Sequence, residues 1–183
     1  ASGSEERNPP TVWYKELTNP EQFVDDTSQV FLGLRIACAN CHHHPYEKWS
    51  QDDYWGLAAF FGKVDRKTTI LPGGQNNQVQ RVFVYTRGNK SPVVNKRTNR
   101  PAAVKPLDGA PMEFTGDDDP RQKLVDWMID VKNPFFAKAV ANRYWAHFFG
   151  RGIVDPLDDM RVTNPPSNPE LLDALAKDLI DNK

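Results

Sequence analysis

The sequence predicts a mainly α protein: several short helices around one C-x-x-C-H motif, with a small β-hairpin and a long middle loop. Three observations predict it. Helix-start signals recur along the chain, at Asn19-Pro20, Ser50 with Asp53, Asp119-Pro120, Asn133-Pro134 and Asn168-Pro169. Apolar residues after these starts fall at helical spacing. Between the helical stretches, only Val79 to Tyr85 shows strand-like alternation.

The elements follow in order. Ala1 to Pro10 reads as a flexible lead-in. A helix opens at Pro20, capped by Asn19, and its pattern runs into the cysteines with a break near Asp26-Thr27-Ser28; Pro45 ends it. Ser50 with Asp53 three positions on gives a capping-box start to a second helix, whose body Gln51 to Phe61 carries Tyr54, Trp55, Leu57, Phe60 and Phe61. From Arg66 to Pro111 the composition changes. Gly73-Gly74, Asn76-Asn77 and several prolines mark turns, Val79 to Tyr85 supplies one strand of a hairpin, and Lys90 to Gly116 reads as extended loop. Helical pattern then returns. Leu124, Trp127, Met128 and Val131 share one face; Phe136, Val140, Tyr144, His147 and Phe148 follow at helical spacing until Gly150 and Gly152; Leu171, Leu172, Leu175 and Leu179 stripe the last helix. The reading divides the chain into a helical C-x-x-C-H part at 1–65, a hairpin and linker at 66–116, and a helical part at 117–183. Both ends read as those of a piece of a longer, multidomain or processed protein.

Composition bounds the function. The chain has 183 residues, 39% hydrophobic and 11% aromatic, enough for a real core. Its 23 basic residues nearly balance 24 acidic ones, so no basic stripe argues for nucleic acid. No apolar run reaches the roughly 20 residues that span a bilayer. No nucleophile elbow, zinc-protease helix or phosphate loop is present.

The chemistry concentrates at Cys38-Ala39-Asn40-Cys41-His42, which holds both cysteines of the chain. C-x-x-C-H is the pattern that attaches c-type haem: two thiols add to the porphyrin, and the following histidine supplies an axial imidazole to the iron. Other chemistries fit parts of it. A C-x-x-C redox pair wants a preceding strand, a non-haem metal site gains from His42, His43 and His44, and a disulfide here closes too short a loop to stabilise much. With haem at Cys38 and Cys41, His42 is the proximal ligand, and its second ring nitrogen is expected to donate to a carbonyl or carboxylate. His147 is the first candidate for the sixth position, with Met128 and Met112 as alternatives and an ordinary core histidine as the competing reading. His44 is a candidate metal or propionate contact, or a residue that fixes its loop by hydrogen bonds. Arg35, Arg143 and Arg151 are candidates for the propionates, against ordinary pairing with aspartates. The aromatic residues from Trp49 to Phe61 wall a haem or fill the core. Asp119 is expected to cap a helix, with Asp117 and Asp118 solvated.

The stretch Phe31 to Phe61, built around Leu32-Gly33-Leu34-Arg35, the two cysteines, His44-Pro45 and Tyr54-Trp55-Gly56, resembles the second planctomycete cytochrome-like domain. The runs Asp117 to Arg121, Asn133 to Ala137, Asn142 to Gly152 and Thr163 to Leu172 resemble the planctomycete-specific domain that follows it. The resemblance implies a cell-envelope or exported protein, periplasmic in such bacteria, of cytochrome-like type and unknown role. It names no redox partner and no substrate. The reading is a haem c (iron) electron-transfer module. Its rivals are a haem enzyme with an open sixth site and a non-haem metal or structural module of a larger envelope assembly.

Overall fold

The computed structural model describes residues 3, 4, 6–72, 78–116 and 118–182. Among these, six α-helices and two antiparallel two-stranded sheets follow one another: α1 (Thr11–Glu16), α2 (Pro20–Thr27), α3 (Gln51–Ala59), β1 (Val64–Pro72), β2 (Gln78–Thr86), β3 (Val94–Asn95), β4 (Arg100–Pro101), α4 (Pro120–Ile129), α5 (Phe136–Phe149) and α6 (Pro169–Asn182). The chain is therefore mixed α and β, which corrects the expectation of a mainly α fold.

The physical reason lies in the middle of the chain. β1 carries Asp65, Arg66 and Lys67, so it lacks the apolar alternation that marks a half-buried strand. It nonetheless pairs along nine positions with β2, from Val64 opposite Thr86 to Pro72 opposite Gln78. Among the ribbon residues whose burial is described, only Val64 and Val84 are core residues. The turn signals Gly73-Gly74 and Asn76-Asn77 lie outside the described residues, as does Asp117. The second sheet arises inside the expected loop. Asn95 accepts the Arg97 N–H through its side chain (2.9 Å) and the Asn99 N–H through its carbonyl (2.8 Å), and Asn99 takes φ 53°. Asparagine tolerates that left-handed backbone, so the turn closes and β3 meets β4.

The helix starts are set locally. Asn19 accepts the Gln22 N–H, with Pro20 in the first turn. Ser50 and Asp53 close a reciprocal capping box. Asp119 accepts the Arg121 N–H at the head of α4. One expected run differs: α2 does not continue into the cysteines. It passes into a single π turn at Ser28–Leu32 and stops at Gly33, whose φ is +69°. A Cβ at Gly33 would also sit 3.0 Å from the Met160 sulfur. Backbone conformation and close approach both call for glycine there.

The main core gathers Phe23, Leu32, Ile36, Trp49, Tyr54, Trp55, Leu57, Phe60, Leu107 and Leu124. A smaller cluster of Ala141, Ile153, Val154 and Leu172 packs α5 on α6. Asn142 is fully buried in that cluster, where its side chain donates to the Val154 carbonyl and accepts the Val154 N–H (2.8 and 2.9 Å).

Candidate functional site

The cysteines stand on a 3-10 turn, Ala37–Asn40, with the Cys41 N–H returning to the Cys38 carbonyl. Side chains three apart eclipse in that geometry, so the two thiols share one face. Both are free and exposed.

The turn is anchored through its inner residues. Ala39 is fully buried. The Asn40 carbonyl accepts the Trp55 indole N–H and the Gln51 amide, both at 3.3 Å, and the Asn40 amide donates to the Tyr54 hydroxyl at 3.2 Å. Tyr54 in turn donates to the Asp25 carboxylate at 3.0 Å. Burial raises the Asp25 carboxyl above its ordinary range, against the lowering effect of the Tyr54 bond, and burial likewise drives the Tyr54 hydroxyl upward. The first turn of α3 and the last turn of α2 thus hold the back of the motif while the sulfurs face outward.

His42 is exposed, and its Nδ1 lies 2.7 Å from the His43 carbonyl. A carbonyl only accepts, so Nδ1 carries a proton, and in the neutral ring the lone pair stands on Nε2. This is the ring state an axial ligand needs, with the second nitrogen held by backbone. His44 is nearly buried, and both its nitrogens are committed: Nε2 donates to the Arg35 carbonyl (3.1 Å) and Nδ1 accepts the Tyr46 N–H (3.3 Å). As folded it fixes the loop and has no lone pair left for a metal.

The other candidates are engaged elsewhere or exposed. His147 is exposed on the last turn of α5, edge-on to Phe148. Among the described residues no three His, Cys, Asp or Glu side chains gather as metal ligands, so His42, His44 and His147 do not form one cluster. Arg35 is paired with Asp158 (2.6 Å), Arg143 donates to the Gln29 carbonyl (2.7 Å), and Arg151 pairs with Asp155. Met112 packs on the main core. Met128 lines an apolar cavity of about 590 Å³ with Trp13, Tyr14, Phe31, Phe61 and Leu124. Neither thiol nor His42 lines that cavity. Trp49, Tyr54, Trp55, Phe60 and Phe61 are core residues, each 3% exposed or less. Sequence reasoning missed the roles of Ala39, Asn40 and Gln51. Two small or polar residues between the thiols, followed by a Gln and a Trp in the first turns of the next helix, are the signal it left unused.

The donor set fits covalent haem: two thiols on one exposed face, then an imidazole whose free nitrogen is Nε2.

Two family models match the chain. Residues 4–66 match PSCyt2 and residues 120–183 match PSD1, each described as a protein of unknown function (DUF1549 and DUF1553). Residues 4–66 thus match the second planctomycete cytochrome-like domain, and residues 120–183 match the planctomycete-specific domain, in that order. The first match contains the whole cysteine turn. The name of that domain hints at a cytochrome, and its function is unknown. No curated protein and no solved structure matches the chain significantly. No helix among the described residues is long and apolar enough to cross a membrane.

Proposed function

We propose that the chain is a c-type cytochrome-like electron-transfer module of the cell envelope. The observation that carries this reading is the anchored 3-10 turn, which presents Cys38 and Cys41 on one face and leaves the His42 lone pair on Nε2. Cys38 and Cys41 would hold haem c covalently, and His42 would ligate its iron. When bound, the haem supplies one-electron chemistry at iron, and the protein supplies position and surroundings. Ala39 and Asn40 keep the thiols in register, and the His43 carbonyl keeps the His42 ring in one tautomer. His147 remains the proposed sixth ligand, a role that requires α5 or a neighbouring molecule to approach the turn. An oxidising compartment suits paired, exposed thiols that are processed outside the cytoplasm.

The test is the visible spectrum of the native protein, oxidised and then reduced with dithionite. The reading expects a sharp c-type band on reduction and a changed spectrum in His42→Ala. A colourless protein contradicts it, and zinc or iron bound to that colourless protein would support the non-haem module instead. Ligand binding to reduced iron without displacement of a protein ligand would favour the haem enzyme with an open sixth site.

A further inference from the structure

The segment Asp158–Val162, inside the second family domain, touches the cysteine loop of the first domain on both sides of the motif. Upstream of the cysteines, the Met160 N–H donates to the Gly33 carbonyl (2.8 Å), and the Asp158 carboxylate pairs with Arg35 (2.6 Å). Downstream, the Val162 N–H donates to the Glu47 carboxylate (2.8 Å), and the Arg161 guanidinium lies over the Tyr46 ring at 6.0 Å. Gly33 lets Met160 come this close, since a Cβ there would meet its sulfur.

The segment has support of its own. Asp159 is buried and pairs with Arg161 (2.9 Å), and Arg161 bridges to Asn164. The Asn164 amide donates to the Asp159 carbonyl (2.9 Å). Just upstream, Asn142 of α5 grips Val154 through both backbone groups. A continuous set of bonds therefore runs from the interior of the α5–α6 unit to the residues flanking Cys38 and His42.

We infer that Asp158–Val162 is a strap by which the second domain fixes the cysteine loop of the first, with Glu47, Arg35 and Gly33 as its receivers. These are positioning residues: none carries the chemistry, and together they set where the two thiols and His42 point. Their value rests on reading the loop as a functional site, but their action is visible without any cofactor.

The experiment uses the full chain without haem. Two readouts follow the loop: hydrogen exchange of the peptide spanning residues 36–46, and the ratio of Cys38 to Cys41 alkylation by iodoacetamide, measured by mass spectrometry. Glu47→Ala should speed exchange of that peptide several-fold and change the alkylation ratio. Glu47→Gln, which keeps an oxygen to accept the Val162 N–H, should restore both. Arg35→Asp and Asp158→Arg should each loosen the loop, and the double exchange should recover much of the protection. Exchange in α6 should stay unchanged throughout. The inference is overturned if the loop is indifferent to these changes, if the conservative and double variants fail to rescue it, or if exchange rises evenly over the chain. A colourless native protein would sink the haem reading while leaving these results as stated, so the two failures are distinct.

Discussion

α3 and α5 both read in the sequence as aromatic-rich helices, and the fold uses them in opposite ways. In α3, seven of nine residues are buried, Tyr54, Trp55 and Leu57 among them. In α5 the buried residues are Ala139, Ala141 and Asn142, while Tyr144, Phe148 and Phe149 are 59%, 71% and 66% exposed. Aromatic content therefore does not decide burial. What decides it is which face meets a partner: α3 is surrounded by α2, the cysteine turn and the loop through Leu107, whereas α5 lays its small face on α6. The difference bears on the site. The helix that supports the thiols is locked in the core, and the helix that carries His147 ends in the open.

The largest expected effect tests this contrast directly. Trp55→Ala removes a side chain that is 2% exposed, together with a donor to Asn40. It should cost about 4 kcal/mol in denaturant unfolding, in the range for large aromatic truncations in a core. Phe148→Ala on α5 should change stability by less than about 0.5 kcal/mol, as surface substitutions do. Comparable losses from the two would break the comparison.

Next comes the polar anchor of the α5–α6 unit. Asn142→Ala leaves the Val154 N–H and carbonyl without their side-chain partner in a buried cluster. A cost of about 2–3 kcal/mol is expected from stranding buried polar groups. A near-neutral result in thermal or urea unfolding would show that water replaces the amide there.

Smaller effects sharpen the account of α3 through pH. Burial pulls the Asp53 carboxyl up, but hydrogen bonds from Lys105 and Ser50 outweigh it and hold the group below its ordinary range. A depressed folded pKa stabilises above the ordinary carboxylate pKa and is lost as pH falls through the folded value. Asp53→Asn should therefore be less stable than the native chain at pH 7, with the gap closing under strong acid. Asp25 has the opposite sign, since burial raises it. Its ionisation disfavours the folded state as pH rises through the carboxylate range. Asp25→Asn should match or exceed native stability at pH 7 and lose that advantage near pH 3. Parallel pH profiles for the two variants would contradict these assignments.

What was legible in the sequence was local. The Asn19 and Ser50 caps, the start of α4 at Pro120 and the i, i+3 placement of the thiols each depend on residues within one turn of one another. The rest depends on distant partners. β1 is a strand because β2 pairs with it, although its own charges hide the pattern. The close approach of Met160 to Gly33 comes from far along the chain, and the contacts of Arg35 with Asp158 and Glu47 with Val162 join segments more than a hundred residues apart. The sequence leaves His44 open between ligand and loop-fixing roles, and the Arg35 carbonyl and Tyr46 N–H on its two nitrogens make it the latter.

The most direct test of the central claim is the intact and peptide mass of the protein recovered from the cells that make it. The account predicts the added mass of one haem, located by tandem fragmentation on the peptide that holds both Cys38 and Cys41, and its loss when both are changed to alanine. An unmodified mass, with both thiols free or joined as a disulfide, would contradict it.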